Sequence, residues 1–483
     1  MKRFLVHSIL CLLLVVPATA RTWKQAASGK EIEADLIKVE DGKVHLRLPD
    51  GREGQVEILS LSLEDQEYIA SLEKEQEASG TDWPAFRGPN RDGISPDENL
   101  LKSWPDDGPG KLWTYENAGM GYSGMSVVDG KLYSMGTRGD EVTVVCVNTD
   151  NGEEVWSAEI GTDDQEGYNT GWGHGPRSTP SVSEGKVYAL GPKGTLACLE
   201  AETGKKVWSK HLVDDFAGKP GGWGFGESPL IDGDRLVVGP GGSESPIVAL
   251  DKNTGKTIWT VSDIEVGKGK AEYATVVPTE INGTRQYLRL FSDQLVSIDA
   301  ESGSVLWTAD WPGEDTPAVI PTPIAEGNRI YISSGYGVGS RLIEIDENNE
   351  VDVVWENKTM KNKHGGIVKY GDYVYGSSEA GGLVCQDWET GEMVWNEKGE
   401  FFGSTDSITI ADGMIYCLND DSGTLSLVEA SPEGFELHGQ FKLDPQSPNR
   451  NPKGKVWVYP VVVNGKLYLR DQEYIVCHDV RSD

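Results

Sequence analysis

The sequence is poor in the residues that most often announce chemistry. Cysteine occurs six times in 483 residues and histidine seven times. Cys11 falls in the N-terminal apolar run. The others, Cys146, Cys198, Cys385, Cys417 and Cys477, are odd in number and never adjacent, which excludes a dense disulfide framework. No Cys-x-x-Cys occurs, so a zinc ribbon is excluded as well. Most sit in apolar strand-like runs (VVCVN, LACLE, LVCQD, YIVCHD), the setting of a small buried hydrophobe. Positive charge is short too: 44 Lys and Arg face 77 Asp and Glu, a formal net charge of -33. Such a surface repels phosphate backbones and anionic lipid faces, so nucleic acid is not an expected partner. After residue 16 no run approaches the roughly 20 apolar residues of a membrane span. There is no nucleophile elbow, phosphate-binding loop, zinc-protease signature or calcium loop.

Glycine is abundant, with 59 residues, and tryptophan unusually frequent, with 15. Lys2 and Arg3, the apolar run from Phe4 to Val16, and Pro17 to Ala20 have the three-part layout of a secretory signal peptide. Residues 1–20 are therefore expected to be removed on export to the periplasm, cell envelope or exterior. Residues 21–75 read as a small barrel. Short alternating strands run from Ile32 to Ile37, Lys43 to Leu48 and Gly54 to Ile58. Turns fall at Asp41 and Gly42 and at Asp50 and Gly51. A helix over 62–72 is opened by Ser62, with Asp65 three residues on. Residues 76–110 form a linker and then an irregular Pro/Gly-rich segment, in which Trp83 and Phe86 are expected to pin the chain to the main domain. Arg87 and Arg91 are expected to clasp carboxylates of so acidic a protein.

The remainder repeats. Strand, turn, strand, strand, Thr-Gly or a variant, then a strand with tryptophan recurs at spacings of about 40 to 52 residues. The repeat tryptophans are Trp156, Trp208, Trp259, Trp307, Trp355 and Trp395. Gly152, Gly204, Gly255, Gly303 and Gly391 begin a Gly-x-x-x-Trp phrase, and the Trp355 repeat lacks the glycine. Each unit reads as a four-stranded antiparallel blade. The glycine permits the positive φ of a tight hairpin, and the tryptophan covers the gap to a neighbouring blade. One blade cannot bury both faces alone, so blades stack radially. A degenerate seventh unit and a three-stranded eighth follow. Lys111 to Glu116, with Trp113, supplies the missing outer strand and closes the ring over 111–483. The expected fold is all-β: an eight-bladed β-propeller after a small SH3-like β-barrel.

The repeat resembles that of pyrroloquinoline-quinone-type propellers, in the quinoprotein alcohol dehydrogenase-like fold. The WPAFRGPNRDG phrase looks like that of secreted bacterial members, and residues 21–75 look like an SH3-like module of such proteins. The resemblance implies one of two branches. True quinoprotein dehydrogenases hold the quinone over the ring centre beside calcium or a lanthanide, with an aspartate base and often a pair of adjacent cysteines. This sequence has no adjacent cysteines, and neither the metal set nor the base can be matched residue by residue. No catalytic residue is carried over, and pyrroloquinoline quinone with calcium stays the alternative. The other branch holds non-enzymatic scaffolds that bind protein partners.

Candidate ligand residues lie in loops that enter inner strands, near the propeller axis. Trp172, His174 and Arg177 stand among Gly167, Gly171, Gly173 and Gly175, and the next repeat offers Trp223, Phe225 and Glu227. Lys268, Lys270, Tyr273, His364, Asp406, Arg450 and Trp457 occupy comparable loops. Aromatic faces there suit a flat ligand, and basic groups on an acidic chain attract a carboxylated one. The same glycines and tryptophans also suit plain packing of a crowded axis. His174 and His364 lack a third metal ligand, and Asn419 to Asp421 read first as a turn. The expectation is a binding or scaffold propeller with a protein, glycan or small-molecule ligand and no metal. A quinone-dependent oxidoreductase and a carbohydrate-binding protein are the alternatives.

Overall fold

The computed structural model describes residues 21–69, with gaps at 27–29, 41–42, 49–51, 63–64 and 67, and residues 82–482 apart from 263, 380 and 400. The leader and both glycine turns of the small unit lie outside the described residues. The chain divides into two compact units at residue 80.

In the first unit, Arg21–Lys24, Glu31–Glu40, Lys43–Arg47 and Glu53–Glu57 pair in sequence order into one antiparallel sheet. The first of these strands was not expected from the sequence. It is there because Trp23 must be covered: the ring is buried with Ala34, Leu36, Val44 and Leu46, and its indole N–H donates to Ala34 O at 3.0 Å. The Ser62 cap forms as expected. Asp65 N–H donates to Ser62 Oγ at 3.2 Å, and that hydroxyl donates to Asp65 Oδ2 at 2.7 Å.

The second unit contains eight antiparallel sheets of the repeat. The first is Ser126–Val128, Lys131–Arg138, Glu141–Asn148 and Glu154–Thr162. The next six begin at Ser181, Leu230, Val277, Ile324, Ile367 and Ser407. The eighth takes Val461–Val463, Lys466–Asp471 and Tyr474–Asp479, and its outer strand is Lys111–Tyr115, with Trp113 opposite Cys477. Eight apolar clusters join each sheet to the next, and the last joins the eighth sheet to the first through Tyr468, Cys477, Val145 and Val147. Alternate residues of one strand serve opposite neighbours. In Lys186–Leu190, Val187 and Ala189 face the first sheet, and Tyr188 and Leu190 the third. Burial on both faces explains why the middle strands are continuous apolar runs.

The repeat glycine has a second duty beyond its positive φ. A Cβ on Gly152 would meet Trp113 at 2.7 Å, on Gly204 Trp156 at 2.5 Å, on Gly255 Trp208 at 3.0 Å, on Gly303 Trp259 at 2.7 Å, and on Gly391 Trp355 at 2.5 Å. Each glycine seats the tryptophan of the preceding sheet. The indole N–H then donates across the gap: Trp113 to Thr149 O, Trp156 to Ala201 O, Trp208 to Lys252 O, Trp259 to Ala300 O, Trp355 to Trp388 O and Trp395 to Ser431 O, at 2.9 to 3.2 Å. Trp307 precedes the sheet without the glycine, and its N–H turns back to Gln286 Oε1 of its own sheet. The cysteines fit the same scheme. Cys146, Cys198, Cys385 and Cys477 lie directly opposite Trp156, Trp208, Trp395 and Trp113, and the five cysteines among the described residues are buried and free.

The seventh sheet has Gly439 at the tryptophan position, opposite Leu427 and just before the register shift. Trp104, from the irregular segment, fills that gap instead, against Phe441 at 5.3 Å and Tyr416 at 5.6 Å. The segment before it threads across the inner strands. Trp83 bridges to Val127, Pro84 O accepts from Val182 N, and Ile94–Ser95 adds parallel to the seventh sheet at Ile410 and Ala411. Here the expectation for the two arginines fails. Arg87 and Arg91 are buried, at 3% and 5% exposure, and they clasp carbonyls. Arg87 donates to Asp92 O and Ile367 O, and Arg91 to Ser228 O, Pro229 O and Val276 O. Inner-strand ends leave carbonyls unpaired at the axis, and a five-donor guanidinium satisfies several at once.

Candidate functional site

Inside the ring, on the side where the inner strands begin, lies a cavity of about 530 Å³, within the size range of small-ligand sites. Seven of the eight sheets contribute to it from the same loop position, and Trp83, Phe86 and Arg87 of the crossing segment line it as well. The repeat places one loop per blade at the axis, so residues hundreds of positions apart meet there.

Of the nine ligand candidates, Trp172, Arg177, Trp223, Tyr273, His364 and Trp457 all line this cavity. Three do not. Glu227 is buried behind it, 2.5 Å from Arg289 and accepting from Gly239 N at 3.0 Å, so its charge is committed to the wall between the third and fourth sheets. Lys270 projects to solvent. His174 is half-buried outside the lining, and burial lowers its pKa. Asp406 lies deeper, where burial and the Asp420 carboxylate push it up to about 8. Asn419 Oδ1 accepts from Asp421 N, Ser422 N and Ser422 Oγ, which is a turn. Among the described residues, one group of His and carboxylates could share an ion: Glu429 and His438, on the outer strands of the seventh sheet, and Glu436, just before the last of them. His174 and His364 belong to no such group.

The aromatic wall centres on Trp457. His364 stacks on it with ring centroids 5.0 Å apart and planes at 15°. Tyr122 and Trp172 lean on it at 5.2 and 6.1 Å. The Tyr122 hydroxyl donates to Trp172 O, and Tyr459 to His364 O. Across the cavity Trp223 meets Tyr273 edge to face at 6.1 Å, and the Tyr273 hydroxyl accepts from Trp223 N at 2.9 Å. Burial first, then nearby cations, hold His364 down to about 4, so its imidazole is neutral at pH 7. Its buried Nδ1 has no hydrogen-bond partner.

Charge at the cavity is one-sided. Arg87, Arg177, Lys363 and Lys455 line it, and no Asp or Glu does. Arg177 lies 5.4 Å from the Tyr122 ring and donates to Gly173 O and Gly175 O. This is the use of the glycine-rich loop: Gly175 brings its backbone against Met120 O, with no room for a Cβ. Tyr122, Tyr336, Lys363, Lys455 and Tyr459 were not foreseen. Lys363 and Lys455 stand one and two residues before the predicted His364 and Trp457, so the phase of the repeat was the signal that could have found them.

The comparisons with known proteins agree with this architecture. Residues 140–397 and 352–433 match the family described as "Outer membrane protein assembly factor BamB", and residues 16–77 match SLA1 homology domain 1. The chain is 23% identical over 312 residues to outer membrane protein assembly factor BamB of Shewanella oneidensis, covering 60% of this chain and 71% of that one. It is 24% identical to the Yersinia pestis protein of the same name, covering 68% and 78%. Quinohemoprotein alcohol dehydrogenase of Comamonas testosteroni is 23% identical over 56% of this chain and 32% of its own. The crystal structure of that dehydrogenase superposes with a TM-score of 0.58 at 14% identity, covering 83% of this chain and 81% of that one, a likeness of fold. With its repeat matched over more than half its length, the chain belongs to the BamB family of β-propellers, and it carries an SLA1 homology domain 1 at its N-terminal end.

Proposed function

We propose that this protein is a non-enzymatic binding propeller of the bacterial cell envelope, with eight blades, an axial ligand cavity and a small SH3-like barrel as a second interaction surface. The eight inter-sheet clusters support the blade count. The signal-like leader supports export. Among the described residues no helix is long and apolar enough to cross a membrane. The relatives named for outer membrane protein assembly support protein partners. So do the exposed Val155, Val207, Ile258, Val354 and Val394, each next to a repeat tryptophan on an outer strand.

The observation that carries the reading is the make-up of the cavity: aromatic walls and four cations, without one carboxylate. It can hold a ligand but offers no acid–base pair, as glycoside hydrolysis would need. The quinone–calcium pair of the dehydrogenase branch does not fit. Calcium takes roughly six to eight oxygen ligands, chiefly carboxylates and carbonyls, and this lining sets cations where that charge would stand. A dye-reduction assay with primary alcohols, pyrroloquinoline quinone and calcium tests the point. The expected result is no turnover, and turnover above background overturns the reading.

A further inference from the structure

A chain with 77 acidic and 44 basic residues has an axial cavity of the opposite sign, and the cations there are poorly compensated. Among the described residues neither Arg87 nor Arg177 pairs with a carboxylate, since their donors go to carbonyl oxygens. Lys363 stands 3.7 Å from Glu379. Glu379 is already occupied, accepting the N–H of Tyr336 at 2.5 Å and of Gly337 at 2.6 Å. Lys455 alone is closely paired, 2.9 Å from Asp420 and 3.0 Å from Asp421, which leaves the two arginines and Lys363 as the under-compensated charges. Arg177, Lys363 and Lys455 line the same cavity as His364. Partly buried cations without partners are unfavourable unless an anion offsets them.

The rest of that wall is aromatic and short of free hydrogen-bonding groups. The hydroxyls of Tyr122 and Tyr459 donate to backbone, those of Tyr273, Ser228 and Thr275 accept from it, and no Asn, Gln, Asp or Glu lines the cavity. Sugar hydroxyls would find few partners there, whereas a ring finds several faces. At the mouth Tyr336 is held at φ 57, a strained conformation for a bulky residue, with the Lys363 ammonium 4.8 Å over its ring.

We propose that the axial cavity is a metal-independent receptor for a small aromatic organic acid, with the acid group held among Arg177, Lys363 and Lys455 and the ring laid against Trp172 and Trp457. The proposal rests on the binding reading and names its ligand class. The test is calorimetry on the full chain in EDTA, with naphthoate and its neutral isostere naphthamide as probes. Naphthoate should bind about tenfold more tightly than naphthamide, as a charge-assisted contact predicts, and added calcium should change nothing. Lys363→Gln should weaken naphthoate about fivefold and leave naphthamide within about twofold. Trp172→Ala, a change at a 40% exposed side chain, should weaken both about tenfold through the lost ring contact. Equal affinity for acid and amide, no binding of either, calcium-dependent binding, or indifference to both substitutions each overturns the proposal. The non-enzymatic reading is judged separately, by the dye assay, so the two fail independently.

Discussion

Tryptophan serves two regions of this molecule in opposite ways. At the rim, Trp113, Trp156, Trp208, Trp259, Trp355 and Trp395 each donate their indole N–H to a carbonyl of the next sheet, and the first five lie on a glycine of that sheet. At the axis, Trp172, Trp223 and Trp457 pack on other rings in a cavity lined by cations, of which Arg87 and Arg177 have no carboxylate partner among the described residues. The rim arrangement is repeated and gives each of these six indole N–H groups an acceptor, which is what stability requires. The axial arrangement differs from blade to blade and leaves charge over, which is what recognition requires.

The comparison can be broken most forcefully at the one gap that borrows its tryptophan. Trp104→Ala should cost about 4 kcal/mol in denaturant unfolding, since it empties the seam between the seventh and eighth sheets; a loss below about 1 kcal/mol would show that Phe441 seals the seam alone. The seat itself is isolated by two glycines of nearly equal φ. Gly204→Ala, at φ 70 with Trp156 against the new Cβ, should cost about 3 kcal/mol, and Gly283→Ala, at φ 72 in open space, about 1 kcal/mol. Equal losses would reduce the motif to turn chemistry.

At the axis, His364 gives a pH signature. Burial holds its folded pKa at about 4, below the ordinary imidazole value of 6.5. Its contribution to stability is therefore present above about pH 6.5 and lost as pH falls towards 4. His364→Gln should remove up to roughly 2 kcal/mol of that decline, read as the difference between the two pH–stability curves; superimposable curves would sink the assignment. The smallest effect belongs to Trp172→Ala, which should change stability by less than about 0.5 kcal/mol, because the ring is substantially exposed. A larger loss would make the axial tryptophans structural, like those of the rim.

Repetition made the fold legible. Period-two patterning and the spacing of Gly-x-x-x-Trp located the strands, and the unmatched Trp113 identified the strand that closes the eighth sheet. The partner of each glycine was not legible, because its hairpin predicts a positive φ whether or not a neighbour's indole rests on it. Composition also misled. In so acidic a chain Arg87 and Arg91 seemed destined for carboxylates, yet inner-strand carbonyls at the axis claimed them. Six of nine ligand candidates reached the cavity because loop phase is a one-dimensional property. Glu227, His174 and Lys270 share that phase but point elsewhere, a choice made by packing against the adjacent sheet.

The sequence by itself determined the strand phases, the all-β repeat, the rim tryptophans and the order in which sheets follow one another. These rest on local hydrogen bonding and on a periodic burial pattern written along the chain. Tertiary structure alone decided that each glycine belongs to its neighbour's tryptophan, that Trp104 stands in for a missing one, and that an acidic protein has a cationic core to its ring. Those outcomes arise where seven loops and one crossing segment converge, and no local pattern encodes a contact between residues brought together only by ring closure.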